Sequence, residues 1–148
     1  DGKFGLPRMI GAMIYGQPAM SNTAKKYNSD NPDKCWELRR LCCIDDTPKN
    51  TESYFIGKTL RWIKNNTDIE VIISYADLNY GHKGTIYKAS NFICLGIRNK
   101  RPYGRALKRR WEAKKAGAED DDMYYVEKKP KNIYVYYLNK KLKKKMLK

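Results

Sequence analysis

ISYADLNYGHKGTIYKASNF, from Ile73 to Phe92, joins a strand end, two glycines, the chain's only histidine and a helix start. The strand is IEVIISY (Ile69–Tyr75), a near-continuous apolar run of the kind buried on both faces of a sheet. Asp77 then falls just past the expected strand end, where a carboxylate accepts a proton or caps the turn. Gly81 and Gly84 allow a sharp turn and a close backbone approach to a phosphate. GTIYKAS (Gly84–Ser90) reads as a short helix. Ligands of open α/β sheets bind beyond the carboxyl ends of strands, where helix starts offer free N–H groups to anions. His82 lies inside the turn, partly exposed by expectation, with an ordinary pKa near 6.5. The alternative is a plain strand-to-helix connection whose glycines serve only the turn.

Outward from this stretch, hydrophobic periodicity assigns most of the chain. RMIGAMIY (Arg8–Tyr15) reads as a strand ended by Gly16-Gln17-Pro18, and the polar segment 19–34 as a long loop with room for a short helical turn. CWELRRLCCI (Cys35–Ile44) alternates Trp36, Leu38, Arg40 and Cys42 against Glu37, Arg39, Leu41 and Cys43. Asp45-Asp46-Thr47-Pro48 supplies an acidic, proline-containing helix entry. Over residues 50–66, Phe55, Ile56, Leu60 and Ile63 fall on one helical face. Asn91–Ile97 and the aromatic, β-branched Asn132–Leu138 are further strands. A basic loop and a helix around Ala106–Ala116 are expected between them, with an acidic patch at Glu119–Asp122. This order predicts one α/β (α+β) domain over 1–138, built on a central mixed sheet flanked by helices, with a basic insert at 98–118 and a lysine-rich tail at 139–148.

At 148 residues the chain is long enough to bury a core without disulfides or metals. No apolar run exceeds strand size, so no membrane partner is expected. The chain opens at Asp1 without a signal peptide, and an upstream segment is expected. Four cysteines, 35, 42, 43 and 94, contain no Cys-x-x-Cys, and one histidine cannot complete a usual Cys/His zinc set. They read as buried free thiols in a reducing cytoplasm, and no metal site is assigned.

The net charge of +15 predicts attraction to polyanions, nucleic acid or an anionic cofactor, and it is clustered. Residues 98–115 hold nine Lys/Arg against one Glu, and six lysines crowd the last nine positions. Tyr103 and Trp111 among those charges suit stacking on an unpaired base beside phosphate contacts; Trp111 is equally suited to a helix's core face. The tail lysines read as flexible contacts to a nucleic-acid backbone that carry no sequence information. On strand 35–44, Glu37 pairs structurally with Arg39 or serves as a base or orienter while an arginine holds a phosphate. Asn50 and Ser53 are capping residues by type, and next to a cleft they would also present hydroxyl and N–H groups to a ligand.

WELRRL (36–41), KNTESYFIG (49–57), ISYAD (73–77), GHKGTIYKASNF (81–92) and PKNIYVYYL (130–138), in this order, resemble the phage Mom-type DNA-modification proteins of the GNAT-like acyltransferase fold. The most specific part is Ser-Tyr-Ala-Asp followed by Gly-His-x-Gly-x-Ile-Tyr-x-Ala. The resemblance implies a largely antiparallel GNAT-like sheet. It also implies an enzyme that protects DNA from restriction by altering the exocyclic amine of adenine, with a carbamoylmethyl group in the type member. It implies acetyl-CoA or another acyl-CoA donor, held by strand 69–75 and the following turn, with Ile73, Ser74, Gly81, Gly84, Thr85, Asn50 and Ser53 as donor-binding residues. The usual Arg/Gln-x-x-Gly-x-Gly/Ala signature is not matched, since Gly81 stands first and Ile86 last, so another donor stays open. The family carries a segment ahead of the position matching Arg8, which this chain is expected to lack.

Together these readings place Asp77, His82, Glu37, Ser74 and Tyr75 at the reacting centre of a cytoplasmic DNA-modifying transferase. Arg40, Arg105, Arg109, Arg110 and Trp111 are expected to contact double-stranded DNA, with the target base flipped from the duplex. Two other readings stand beside it: a GNAT-like N-acyltransferase acting on a protein or small amine, and a non-catalytic nucleic-acid-binding protein.

Overall fold

The structure, a computed structural model, describes residues 8–78, 81, 83–98, 103–106, 124–127 and 130–148, and of 98, 103–106 and 124–127 the backbone alone. His82, Arg109, Arg110, Trp111 and the expected helix beyond Ala106 lie outside the described residues, as does the side chain of Arg105.

Among the described residues, seven strands and four helices follow one another as β1 (Gly11–Gly16), α1 (Ser21–Tyr27), β2 (Cys35–Cys43), α2 (Thr51–Asn66), β3 (Val71–Asp77), α3 (Thr85–Ala89), β4 (Ile93–Arg98), β5 (Tyr103–Ala106), β6 (Tyr124–Glu127), β7 (Lys131–Tyr137) and α4 (Lys140–Met146). Five strands form one mixed sheet in the order β1-β2-β3-β7-β4, and β5 pairs with β6 in a separate two-stranded ribbon. The β1/β2, β3/β7 and β7/β4 pairings are antiparallel and β2/β3 is parallel. The expected mixed, largely antiparallel sheet flanked by helices is present. No described helix is long and apolar enough to cross a membrane.

β3 sits in the middle of the sheet, and its apolar run follows from that place. Val71 and Ile73 point into a core with Ala24 and Tyr27 of α1, Ile133 and Val135 of β7, and Leu142 of α4. Ile72 and Ala76 point the other way, against Ile56, Leu60 and Ile63 of α2 together with Leu38, Phe92 and Tyr134. Full burial of an aliphatic side chain contributes about 1.5–3 kcal/mol, so β3 and α2 carry much of the stability.

The structure corrects five expectations. Asp77 is the last residue of β3, because β7 extends its partner strand to the same point, rather than a residue beyond it. Segment 19–34 is not chiefly loop: it holds α1 and a 3-10 turn at Pro32–Lys34. The tail is no free chain, since Asn139 caps α4 through its Oδ1, which accepts from the Lys141 and Leu142 amides, and Leu142 is buried. Of the four thiols only Cys35 is buried, and burial pushes it up to about 12; Cys42 and Cys94 are exposed and Cys43 is half-buried. Residues 103–106, expected in a loop, form β5.

Gly84 is the most tightly packed of the described glycines. It has φ +71°, and a Cβ there would clash with the ring and hydroxyl of Tyr134. Gly81 shares the positive φ but faces open space. Gly84→Ala is therefore expected to destabilise by about 2–4 kcal/mol, strain and overpacking together, and Gly81→Ala by only about 1–2 kcal/mol. Urea denaturation of the two variants measures the difference.

Candidate active site

The site begins where the two parallel strands part. β2 and β3 pair over Cys35↔Val71, Trp36↔Ile72 and Glu37↔Ile73 only. Beyond Glu37, β2 stays with β1 and β3 stays with β7, so the strands diverge and leave a gap between their inner edges. At the point of parting, the Ser74 hydroxyl donates to the Leu38 carbonyl at 3.1 Å, supplying the bond that the ladder no longer provides. On the other edge of β2, Ile14 pairs with Arg40 and Tyr15 with Leu38, which leaves Arg39 as an extra residue, a β-bulge. A bulge bends its strand and resets the alternation of side chains. Leu38 and Leu41 consequently both meet the α2 core, which strict alternation over 35–44 would have forbidden. The Arg39 guanidinium donates to the Gln17 carbonyl and packs against Gly16, where a side chain would crowd it.

This gap opens into a cleft of about 1210 Å³. One side is β2 from Glu37 to Leu41 and the other is Tyr75, Ala76 and Asp77 of β3 with Lys131 of β7. α1 contributes Asn22, Thr23, Lys26 and Tyr27; the turn into α3 contributes Gly81, Lys83, Gly84 and Thr85, followed by Ile86 and Tyr87. The volume exceeds the range of about 300–1,000 Å³ usual for small-ligand sites, so there is room for two substrates to meet.

Charge converges on the floor. Asp77 and Lys131 are cross-strand partners, and their side chains form an ion pair at 3.0 Å. Burial raises the carboxyl of Glu37 above its ordinary range, while the Arg39 and Lys131 cations pull it partly back. Lys131 thus acts on both carboxylates, and the floor holds two acids against two cations. Tyr75, two residues before Asp77 on β3, lines the same cleft.

The turn is fastened from below. The Tyr134 hydroxyl donates to the Lys83 carbonyl at 2.9 Å, and its ring stands 5.2 Å from that of Tyr87. In the Gly-x-x-Gly spacing both glycines thus serve the positive φ, and Gly84 also serves the close approach of Tyr134.

Of the residues singled out in the sequence, Glu37, Arg40, Tyr75, Asp77, Gly81, Gly84 and Thr85 meet at the cleft. Ile73 and Ser74 lie beneath it, fully or almost fully buried: one points into the α1/α4 core and the other is engaged with Leu38. Asn50 and Ser53 do not line it. Asn50 takes φ +70° at the start of α2 and makes no side-chain cap; the Ser53 hydroxyl donates back to the Asn50 carbonyl instead. Lys131, Lys83, Tyr134 and the α1 wall were not picked out. Lys131 is one lysine among many until the β3/β7 register sets it opposite Asp77.

Glu37 gives a test of this geometry. A carboxyl whose folded pKa is raised binds its proton more tightly when folded, so its contribution favours folding at low pH and is lost as pH climbs from about 4.3 through the raised value. Glu37→Gln is expected to remove that loss, so that the variant gains stability relative to the parent between pH 4 and pH 7. Melting temperatures across that range measure it; parallel curves would show that Glu37 is not desolvated.

Comparison with known proteins agrees with the sequence motifs. The methylcarbamoylase Mom of Escherichia phage Mu is 30% identical over 90 residues, which cover 60% of this chain and 37% of that relative. The matched stretch therefore spans well under half of the relative's length. The profile of the Mom protein family matches residues 2–148, and the chain belongs to that family.

Proposed function

We propose that this chain carries out the chemistry that names the phage Mu relative, transfer of a methylcarbamoyl-type group, and that the acceptor is the exocyclic amine of adenine in DNA. The observation that carries the reading is the floor of the cleft: a desolvated carboxylate, Glu37, beside the Asp77–Lys131 ion pair, at the point where two parallel strands part.

The exocyclic amine of adenine is weakly nucleophilic, because its lone pair is delocalised into the ring. As a new bond to its nitrogen forms, the amine must release a proton. A carboxylate with a raised pKa is a better acceptor for it than an ordinary one. Glu37 fills this role, and Asp77, held by Lys131, orients the amine through a hydrogen bond. His82 is a second polar group at the reacting centre, and Ser74 ties β3 to β2 from beneath, at the point where the strands part. In a duplex the amine is occupied by base pairing, so the base is flipped into the cleft, where Tyr75 packs against it. Arg40 at the rim, and Arg105, Arg109, Arg110 and Trp111 of the insert, hold the DNA backbone and neighbouring bases.

A GNAT-like reading of the fold rests on the splayed parallel pair within a mostly antiparallel sheet. An acyl-CoA type of donor suits the residues present. The freed edge of β2 from Leu38 to Leu41 offers backbone groups to an amide-bearing arm, and Lys83 with the first N–H groups of α3 offers cationic and dipolar partners to phosphates. Such a donor, when bound, would supply the activated carbonyl carbon and the leaving group, its C–S bond breaking and its thiol departing as the bond to the amine nitrogen forms.

The test is mass spectrometry of nucleosides from plasmid DNA taken from cells making the full-length protein. A heavier deoxyadenosine is expected, reduced by about 10²–10⁴-fold in Glu37→Gln and in Asp77→Asn. With purified protein the rate should rise with pH through the raised Glu37 pKa, and Glu37→Gln should flatten that rise. Unmodified nucleosides from folded protein would sink the reading. Transfer to protein or small amines alone would select the N-acyltransferase reading. Duplex binding without any transfer would select the non-catalytic one.

A further inference from the structure

The C-terminal helix poses a problem of its own. α4 reads KKLKKKM, with no acid in its first turn and lysines throughout. Like charges stand at i and i+4 in Lys140–Lys144, Lys141–Lys145 and Lys144–Lys148, and each such pair opposes the helix. Lys140 and Lys141 also put positive charge at the positive end of the helix dipole. From Lys128 to the C-terminus there is no acidic residue to offset this. A solubilising tail has no reason to fold against these repulsions.

Yet α4 is fastened at three points. Asn139 caps it and donates at 3.1 Å to Glu70, whose other oxygen accepts at 2.7 Å from the fully buried Asn28. Leu142 and Met146 pack into the core beneath α1 and α4. Lys145 pairs at 2.6 Å with Asp30, just after α1, and holds that carboxyl below its ordinary range. The cap, the buried face and the ion pair leave Lys140, Lys141, Lys143, Lys144 and Lys148 exposed. α1 adds exposed Lys25, and Lys26 on the cleft wall. Because the apolar face of α4 is already used against the sheet, a lipid surface is a poor partner for it.

We propose that α4, with the lysines of α1, is a preformed phosphate-binding face that holds duplex DNA along the α1/α4 side of the sheet, leading to the cleft at Lys26. This rests on the reading that DNA is the substrate, and it gives the repulsion within α4 a purpose: bound phosphates relieve it.

The test is the affinity of a fluorescently labelled 20-base-pair duplex as a function of KCl, for the parent and for a Lys140→Gln, Lys141→Gln, Lys144→Gln, Lys148→Gln variant. Loss of up to four phosphate contacts should lower the slope of log K against log salt by about 2–4 and weaken binding at least tenfold near 0.1 M salt. The same variant should melt at a higher temperature in low salt, since the repulsion is gone; the corresponding Lys→Arg variant should keep both slope and affinity. Opposite effects on stability and binding are not expected from a merely structural helix. Unchanged binding, or binding lost together with a lower melting temperature, would overturn the proposal, as would tighter binding to duplex RNA or to anionic vesicles. Modification of adenine is scored separately on saturating DNA. A parent that binds with the expected slope but modifies nothing counts against the adenine reading alone; a variant that binds like the parent counts against this one alone.

Discussion

The short parallel ladder between β2 and β3 is the constraint on which the rest depends. Each strand has a second partner that runs longer than the first: β1 for β2, β7 for β3. After Glu37 the two outer pairings pull the strands apart, and a bulge at Arg39 increases the bend of one of them. The backbone groups left between them need partners. Ser74 serves one of these groups, the Leu38 carbonyl, and the remaining edge faces the cleft. From this parting follow the position of Glu37 as the last paired residue, the exposure of Asp77 to the gap, and the space above them.

The two ends of β3 divide the work. At its start, Glu70 accepts from Asn28 and Asn139 and its carbonyl accepts from the amides of Leu138 and Asn139, so one residue joins α1, β7 and α4. At its end, Asp77 meets Lys131 in an open, charged floor. The first end is a closed network with its groups satisfied, which makes it rigid; the second keeps polar groups accessible to a ligand. Between them lie six residues buried on both faces or nearly so, which transmit the position of one end to the other.

The sheet and α2 were legible in the sequence because their apolar periods are clear: β3 is apolar at nearly every position, and α2 repeats Ile56, Leu60 and Ile63. α1 and α4 were not, because each buries only one or two side chains within a strongly polar run, and a helix of seven residues leaves little periodicity to find. The bulge at Arg39 is invisible to any alternation count, since it depends on how β1 pairs. At the site, Tyr75, Asp77 and the two glycines were legible from the strand end and turn chemistry, and Glu37 from its charge beside Arg39 within a strand. Ser74 shows the limit of that method: its position beside the site was evident, but only the geometry shows that its hydroxyl is taken by Leu38. Lys131 depends wholly on strand register, which no local pattern encodes.

The most direct measurement of the central claim is photocrosslinking of duplex DNA in which a target adenine is replaced by an azidoadenine, followed by peptide mapping. Extrusion of the base into the gap between β2 and β3 is expected to place the crosslinks in peptides containing Tyr75–Asp77, Leu38–Leu41 or Lys131. Crosslinks confined to the basic insert or to α4, with the cleft peptides unlabelled at saturating DNA, would contradict it.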